Sequence, residues 1–301
     1  MEQNQIYIPH KLLALIDSSM EKDQGATYRG WLGKILPLIG DAYSTHTFPF
    51  RSHLGASGLG AECTRSIYYG WRWAKAPSFQ GRILRLFNRG HLEEGRVIAT
   101  LLTCGLTVYQ QDVNGKQFRI SSSNGHVGGS GDGVVTGVPD APQLTFLLEI
   151  KTHSVKSFAK LKKEGLRLSK KQHFVQMQLY MHKFSLRAGL YYAVCKDTDE
   201  IYLEMIMVDR NVATLYLNRG DDIVNSKTPP MKLHNSIAHF DCKYCDFSQI
   251  CHRNEVPDKN CRTCKYAQPV ENANWLCTKH GHILETAQDQ FDGCNEHERL
   301  F

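Results

Sequence analysis

The pattern of apolar and polar positions divides the chain into helical, strand-rich and cysteine-rich parts. In the first 50 residues, apolar side chains recur at helical spacing, around Leu12 and again around Leu32. The same period continues through residues 81–105 and predicts a long helix that is interrupted or bent at Gly90 and ends at Gly105. The N-terminal part of the chain is therefore expected to be helical.

The period changes after residue 105. Residues 106–151 contain β-rich runs separated by turn signals, and they predict consecutive antiparallel strands joined by hairpins. Residues 169–187 return to helical spacing, and 189–196 and 200–209 predict two more strands. The lysine-rich stretch 156–172 is typical of a solvated loop. This order predicts an α/β fold with a mixed sheet flanked by helices.

Composition limits the size of the hydrophobic core and indicates the cellular compartment. A chain of 301 residues with 42% hydrophobic content can form one sizeable core and a small appendage. The net charge of +6 permits a polyanionic partner without requiring one. The N-terminal sequence lacks the pattern of an export signal, and no apolar run is long enough to span a bilayer, so we expect a soluble intracellular protein without a membrane partner. Ten cysteines in that setting indicate metal binding rather than disulfides.

The stretch FLLEIKTHS places two charges at the end of an apolar run, Glu149 and Lys151. If the preceding turn is centred near Asp140, pairing across the hairpin puts Asp132 opposite Glu149. Two carboxylates about 5 Å apart repel each other unless a cation lies between them. Lys151 projects from the same face of the strand as Glu149. A solvated outer face of a hairpin is the alternative, but the continuous apolar run favours a strand covered on both sides.

Two carboxylates and an ammonium group at one point predict a hydrolytic metal site. Hard oxygen ligands hold Mg²⁺ or Mn²⁺, and a lysine can orient the attacking water or help to deprotonate it. The sequence therefore predicts that Asp132 and Glu149 bind the metal and that Lys151 acts on the water.

These residues resemble motifs of a known nuclease superfamily. GDGVV followed by LLEIKT resembles motifs II and III of the PD-(D/E)XK nucleases, and QMQLY supplies Gln176 and Tyr180 in the Q-x-x-x-Y pattern of the RecB-like branch. RGHLEEG is similar to the segment that carries the metal-binding histidine of that branch, here His91. Pro139-Asp140 offers a competing acidic residue, but a position in the hairpin turn is too far from Glu149 to share a metal with it.

The resemblance implies a restriction-endonuclease-like fold that hydrolyses phosphodiester bonds. The implied metal ligands are His91, Asp132, Glu149 and the backbone carbonyl of Ile150, with Lys151 as the catalytic lysine. Glu94, one turn from His91 on the same helix face, is the alternative ligand. Gln176 and Tyr180 would bind around the active site or to DNA, although ordinary core packing also explains their spacing. The lysine-rich stretch 156–172 becomes a candidate for tracking the DNA backbone.

A first set of cysteines follows the predicted sheet. DCKYCDFSQIC supplies Cys242, Cys245 and Cys251, which leaves a fourth ligand to be found, and Cys63 is the candidate. The segment ECTRSIYYGW resembles the upstream cysteine segment of RecB-like nucleases with an iron-sulfur cluster, such as AddB and the CRISPR-associated nucleases. That resemblance implies a structural 4Fe-4S cluster, whereas the spacing alone fits Zn²⁺ equally well.

A second set lies in the C-terminal 46 residues. Cys261, Cys264, Cys277 and Cys294 form a pattern typical of structural Zn²⁺ sites, because so short a segment needs a staple to fold. His280, His282 and His297 lie nearby, and one of them could replace Cys294. The remaining cysteines, Cys104 and Cys195, are expected to be buried thiols.

Three segments follow from these patterns, and the resemblance implies one function. We expect a helical N-terminal extension in residues 1–54, a nuclease core in 55–255 and a zinc-binding tail in 256–301. The predicted function is a metal-dependent exonuclease acting on single-stranded DNA or DNA ends in recombination, repair or phage DNA metabolism, in the cytoplasm of a bacterial or phage-infected cell. A helicase or recombination partner is compatible with it. A structure-specific or CRISPR-adaptation endonuclease and a non-catalytic DNA-binding module are the alternatives.

Overall fold

The computed structural model describes residues 5–43 and 50–301. Residues 1–4 and 44–49 of the predicted N-terminal extension lie outside the described residues. The α-helices are, in chain order, α1 (His10–Lys22), α2 (Ala26–Ile35), α3 (Thr64–Trp71), α4 (Gly81–Thr103), α5 (Val155–Ser169), α6 (Lys171–Lys183), α7 (Arg210–Asn225), α8 (Phe240–Lys243), α9 (Ser248–Arg253) and α10 (Ala287–Asp292). The strands are β1 (Leu54–Gly55), β2 (Thr107–Tyr109), β3 (Arg119–Ser122), β4 (Val127–Ser130), β5 (Gly133–Thr136), β6 (Phe146–His153), β7 (Ala188–Cys195), β8 (Ile201–Met207), β9 (Ala267–Pro269), β10 (Trp275–Cys277) and β11 (His282–Leu284).

The predicted α/β class with a mixed sheet is confirmed. A five-stranded sheet has the order β2-β5-β6-β7-β8, in which β6 and β7 are parallel and the other neighbours are antiparallel. Two three-stranded sheets, β1-β4-β3 and β11-β10-β9, complete the strands of the described residues. The region between residues 106 and 151 is thus divided between two sheets rather than forming one meander of hairpins, which corrects part of the expectation.

The chain folds into two compact units, each built from several separate segments. The first unit contains residues 1–44, 79–120 and 130–213, and the second contains 45–78, 121–129 and 214–301. The five-stranded sheet belongs to the first unit, whereas both cysteine sets belong to the second. This grouping cuts across the three segments expected from the sequence, because the C-terminal residues share a unit with those around Cys63.

In the first unit, alternation along β6 separates an apolar face of the sheet from the face that carries Glu149 and Lys151, here called the chemical face. Phe146, Leu148 and Ile150 pack into a core with residues of α1 and α4. The residues between them point to the opposite face of the sheet, where α5 and α6 contact β6 and β7. Nearly every residue of β6 is buried, so the strand is covered on both sides as predicted.

Helix α4 is continuous from Gly81 to Thr103, so it is not interrupted at Gly90. The helix ends in a Schellman motif, in which the Leu106 N–H donates to the Leu101 carbonyl and the Gly105 N–H to that of Leu102. Gly105 has a φ of +78°, a conformation that glycine adopts without strain. A glycine within a long amphipathic helix costs only about 1 kcal/mol, which packing easily overcomes.

Helix α5 replaces the solvated loop expected from the lysine-rich stretch. Phe158, Leu161 and Leu166 are buried, while Lys156 and Lys163 are exposed. Most of the stretch is therefore amphipathic helix, interrupted at Gly165, where φ is +73°, and the prediction of a loop is wrong.

Two buried arginines hold the second unit together. Arg262 is 1% exposed, and its guanidinium lies 3.8 Å from the ring centroid of Trp73 and 4.8 Å from that of Trp275. Its N–H groups donate to the side chain of Gln290 and to backbone carbonyls of residues 52 and 71. Arg72 is likewise buried and donates to the carbonyls of Arg262 and others. Aromatic faces and carbonyls replace the carboxylate that a buried arginine usually needs.

No helix among residues 5–43 and 50–301 has both the length and the apolar character needed to cross a bilayer.

Candidate active site and metal centres

The hairpin of β5 and β6 brings Asp132 against Glu149, as the pairing arithmetic predicts. Gly133 pairs with Leu148, so the next position outward places Asp132 opposite Glu149. The Ile150 N–H donates to Asp132 Oδ2 at 2.8 Å, which fixes the aspartate against the strand. A Cβ at Gly133 would lie 2.9 Å from the Tyr109 carbonyl oxygen, so the glycine after Asp132 permits the close approach of β2.

Asp140, the competing acidic residue, has a different structural role. Its carboxylate accepts hydrogen bonds from the Lys11 and Leu12 N–H groups at 3.1 and 2.9 Å. These are two of the unsatisfied donors at the start of α1, so Asp140 caps that helix.

Glu149 is a fully buried carboxylate at 0% exposure. It forms an ion pair with Lys151, and its Oε2 atom has no hydrogen-bond partner among the described residues. Burial and the nearby Asp132 charge raise the pKa of Glu149 to about 7, although Lys151 opposes the shift. An unsatisfied oxygen in a buried carboxylate is costly unless a cation binds it.

The ammonium group of Lys151 is held by the surrounding carboxylates. Burial alone would lower the pKa of Lys151, but Glu149 and Asp132 outweigh it and hold the pKa above its ordinary value. The Lys151 Nζ also donates to the carbonyl of Ile150 at 3.2 Å. In this arrangement Lys151 is a hydrogen-bond donor and a positive charge rather than a proton acceptor.

A third carboxylate, Glu94, joins the cluster from α4. Burial and the Asp132 charge raise the pKa of Glu94 to about 7, and Lys151 and Glu149 also act on it. His91, one turn earlier, is exposed, and no hydrogen bond or ion pair to the three carboxylates is described for it. Electrostatic coupling thus links Glu94, the alternative ligand, to the other two carboxylates.

This donor set fits Mg²⁺ or Mn²⁺. Glu94, Asp132 and Glu149 act on one another electrostatically, and Glu149 has an orphaned buried oxygen of the kind that hard divalent cations prefer. The Ile150 carbonyl accepts from Lys151 but retains a second lone pair. The ligand roles of His91, Asp132, Glu149 and Ile150 stay predictions.

Gln176 and Tyr180 lie on α6, which packs against β6 and β7. Both are buried, and the Tyr180 ring stacks on Phe184 with centroids 5.9 Å apart. A Cβ at Gly189 of β7 would lie 2.6 Å from the Met177 methyl group, so the bare glycine lets α6 approach the sheet closely. The predicted pair is placed on a helix beside the chemical face of β6, and its catalytic role stays a prediction.

A hydrogen-bonded group that sequence reasoning missed lies on the same face. The Tyr191 hydroxyl bridges His153 Nε2 and His173 Nδ1, each at 2.8 Å. Tyr191 pairs with Glu149 across β6 and β7, and His153 follows Lys151 by two positions on β6. Period-two alternation beyond Lys151 could have indicated His153, whereas the contacts to His173 and Tyr191 depend on the packing of α6.

The imidazoles of buried His153 and half-buried His173 are expected to weaken the fold in acid. Burial, with nearby lysines, lowers the pKa of His153 to about 4 and that of His173 to about 3, from 6.5. The unfolded chain therefore takes up protons at higher pH than the folded protein, and the free energy of unfolding falls as pH decreases from about 6.5 towards 4. We expect the double variant His153→Gln, His173→Gln to reduce that loss by about 2 kcal/mol between pH 7 and pH 5.

Urea unfolding at the two pH values measures this difference, and His10→Gln, at an exposed position, is the matched control. An equal acid effect in wild type and double variant would show that the pair does not cause it.

The first cysteine set converges in the second unit. Cys63 precedes α3, and Cys242, Cys245 and Cys251 come from α8, α9 and the turn between them. All four line one pocket. Burial, with Cys251 and Cys63 nearby, raises the pKa of Cys242. Four cysteines that line one pocket are the ligand types of either a 4Fe-4S cluster or Zn²⁺.

The second set also converges. Cys261, Cys264, Cys277 and Cys294 line a pocket beside the β9-β10-β11 sheet. Burial and the three neighbouring thiols raise the pKa of Cys261 to about 11. This repulsion among thiolates is what a bound cation relieves.

Histidines add to the second set. His280 Nε2 lies 3.9 Å from Cys294 Sγ, whereas His297 Nε2 lies 3.2 Å from the Thr263 hydroxyl. The placement fits a Zn²⁺ site and leaves the choice between Cys294 and a histidine ligand open.

A third group of donors precedes Cys242. One ligand atom each of His234, His239 and Asp241 lies within 4.8 Å of the others. The His234 Nε2 lies 3.1 Å from Asp241 Oδ2. These half-exposed or exposed side chains are close enough to take up a transition metal, which any metal determination on the protein must separate from the two cysteine sets.

Comparison with known proteins gives distant structural likenesses. No protein-family model matches the chain, and no curated protein matches it. The crystal structure of SSO0001 is similar with a TM-score of 0.39 and 20% identity, over 76% of this chain and 97% of that chain. An alkaline exonuclease, LHK-Exo from Laribacter hongkongensis, is similar with a TM-score of 0.40 and 14% identity, over 65% of this chain and 90% of that one. LHK-Exo in complex with dAMP is similar with the same TM-score and coverage at 13% identity. Likenesses at this level do not assign an activity, which rests on the site.

Proposed function

We propose that the protein is a metal-dependent deoxyribonuclease. The observation that carries the proposal is the meeting of Asp132, Glu149 and Lys151 on one hairpin, coupled electrostatically to Glu94, with an unsatisfied buried oxygen on Glu149. Carboxylates that bind divalent cations beside a fixed ammonium group suit the hydrolysis of a phosphodiester, in which negative charge develops on phosphate oxygens.

The roles of the chain's own residues follow from their positions. Asp132, Glu149 and either Glu94 or the predicted His91 would hold Mg²⁺ or Mn²⁺, with the Ile150 carbonyl as a further ligand. Such an ion, when bound, makes water a stronger nucleophile and neutralises developing charge. Lys151, whose pKa is held above its ordinary value, would donate to the attacking water or to a phosphate oxygen. Gln176 and Tyr180 would orient the substrate from α6.

Exonuclease action on single-stranded DNA or DNA ends is the finer form of the proposal. It rests on the resemblance of the GDGVV, LLEIKT and QMQLY motifs to the RecB-like branch. Mg²⁺- or Mn²⁺-dependent digestion of DNA blocked at the 5′ or the 3′ end tests polarity. Digestion of circular single strands as fast as linear ones would favour an endonuclease instead.

Basic residues of α5 would follow the DNA backbone. Lys156, Lys160 and Lys163 are exposed on α5, which begins directly after β6. Each phosphate contact releases counterions, so replacing all three by glutamine is expected to lower the slope of log affinity against log salt by about 2. Fluorescence anisotropy of a labelled single-stranded oligonucleotide, with Ca²⁺ in place of Mg²⁺, measures the slope.

The matched control replaces three exposed lysines of the other unit, Lys227, Lys232 and Lys243. An unchanged slope in the α5 variant would remove this helix from the DNA-binding surface.

The cysteine sets would serve as scaffolds. We propose a 4Fe-4S cluster at Cys63, Cys242, Cys245 and Cys251, and Zn²⁺ at Cys261, Cys264, Cys277 and Cys294. Both sets belong to the second unit, where each would join segments distant in sequence or too short to fold alone. A helicase or recombination protein would be the expected partner of such a nuclease.

A further inference from the structure

A chain of hydrogen bonds runs from a lysine to an imidazole on α6. Lys170 Nζ lies 2.5 Å from Ser157 Oγ, and Ser157 Oγ lies 3.0 Å from His153 Nδ1. His153 Nε2 and His173 Nδ1 both lie 2.8 Å from the Tyr191 hydroxyl oxygen. His153 and Tyr191 are buried, at 5% and 0% exposure, so solvent does not compete for the hydrogen bond between them.

The first donor gives the chain a direction. The ammonium group of Lys170 can only donate, so Ser157 Oγ accepts from it and is left with its own proton to donate to His153 Nδ1. A neutral His153 then carries its proton on Nε2 and donates it to Tyr191. Tyr191 in turn donates to His173 Nδ1, which leaves the proton of His173 on Nε2. In the reverse direction, the Ser157 hydroxyl would lack an acceptor among the described contacts.

Both imidazoles are neutral around pH 7, because burial and nearby lysines lower their pKa values to about 4 and about 3. A neutral imidazole whose Nδ1 accepts a hydrogen bond presents an N–H at Nε2. No hydrogen bond from His173 Nε2 is described in the structure, and the residue is only half-buried. The chain therefore ends in an oriented donor with no described partner.

The position of His173 relates this donor to the proposed active site. His173 precedes Gln176 by three residues and Tyr180 by seven, so the three share one face of α6. Its anchor, Tyr191, pairs with Glu149 across the parallel strands. The Lys151 charge acts directly on the His173 imidazole.

We propose that the Nε2–H of His173 binds a non-bridging phosphate oxygen of the DNA backbone, next to the bond that is cut. This inference rests on the proposed nuclease function and names a further substrate-binding residue for it. A neutral, aimed N–H donor suits a phosphate beside Lys151, because it adds a hydrogen bond without another charge. Tyr191, His153 and Ser157 are positioning residues that hold the imidazole in the required tautomer.

The first test determines the histidine tautomers and does not depend on enzymatic activity. In long-range ¹H–¹⁵N spectra of protein labelled at histidine, the structure predicts Nε2–H tautomers for both His153 and His173. Tyr191→Phe should convert His173 to a mixture of tautomers, while the protein stays folded and His153 stays neutral. A Nδ1–H tautomer at His173 in the wild-type protein overturns the proposal.

The second test reads the phosphate contact. His173→Phe should raise the KM for DNA about tenfold with kcat changed less than twofold, and His173→Gln, which keeps an N–H donor, should recover most of the loss. A single stereo-defined phosphorothioate near the cut should raise the KM of the wild type and not that of His173→Phe. His182→Gln, near the end of the same helix, is the matched control and should behave as wild type.

An identical KM and phosphorothioate response in wild type and His173→Phe would overturn the proposal. If the wild type hydrolyses no DNA with any divalent ion, the proposed function fails. In that case oligonucleotide affinity, measured with Ca²⁺, decides the phosphate contact separately: a tenfold weaker affinity in His173→Phe supports it, and an equal affinity overturns it.

Discussion

Replacing Glu149 by glutamine is expected to reduce metal-dependent DNA hydrolysis by about a thousandfold or more. Glutamine has nearly the same shape, so it fits the buried position of a residue with 0% exposure. It lacks the charge that pairs with Lys151 and would hold a divalent cation. The rate of nucleotide release from labelled DNA, with Mg²⁺ or Mn²⁺ in excess, measures the effect.

Thermal unfolding separates a lost site from a lost fold. The variant should unfold near the wild-type temperature without metal, because a glutamine removes repulsion from Asp132 as well as attraction to Lys151. It should lose the stabilisation that added Mg²⁺ or Mn²⁺ gives the wild type. Glu200→Gln changes an exposed carboxylate that pairs with Lys162 at 2.9 Å and is the matched control. Hydrolysis within tenfold of wild type in Glu149→Gln would remove the carboxylate from the mechanism.

Replacing Cys63 by serine is expected to abolish the brown colour and most of the iron of anaerobically purified protein. Cys63 lies far along the chain from Cys242, Cys245 and Cys251, yet all four line one pocket. A cluster there closes a long loop, so its loss should also lower the unfolding temperature of the second unit by roughly 10 °C.

Variants of the other metal-binding groups provide the controls. Cys277→Ser should remove zinc and leave the colour, because Cys277 lines the second pocket. The double variant His234→Ala, His239→Ala accounts for any metal bound beside Asp241. A colourless wild-type protein that contains only zinc after strictly anaerobic handling would refute the iron-sulfur proposal.

The pairing of Asp132 with Glu149 could be predicted from the sequence because strand geometry is regular. Partners in a hairpin have residue numbers with a constant sum, so the turn near Asp140 determined the pairing of Asp132 with Glu149, and the register confirms it. The same regularity placed Lys151 on the face of Glu149. Asp140, the competing acidic residue, caps α1.

Features that depend on tertiary packing could not be predicted from the sequence in the same way. The many lysines of α5 favoured the prediction of a loop. The helix is stabilised by Phe158, Leu161 and Leu166, which are buried against the rest of the unit. The choice between His91 and Glu94 depends on how α4 is rotated over the sheet, which spacing within the helix does not determine.

The link from His153 through Tyr191 to His173 required two strands and a helix to be placed together. Each residue alone has an unremarkable sequence context. The convergence of Cys63 with the later cysteines is equally long-range, and only the resemblance to iron-sulfur nucleases indicated it.

The most direct test of the central claim is hydrolysis of linear DNA by anaerobically purified protein in H₂¹⁸O, analysed by mass spectrometry. We expect nucleotide products with 5′-phosphates, each newly formed phosphate carrying one ¹⁸O, only when Mg²⁺ or Mn²⁺ is added, and none with EDTA. Products with 3′-phosphates, or equal hydrolysis in the presence of EDTA, or no hydrolysis with either metal ion would contradict the claim.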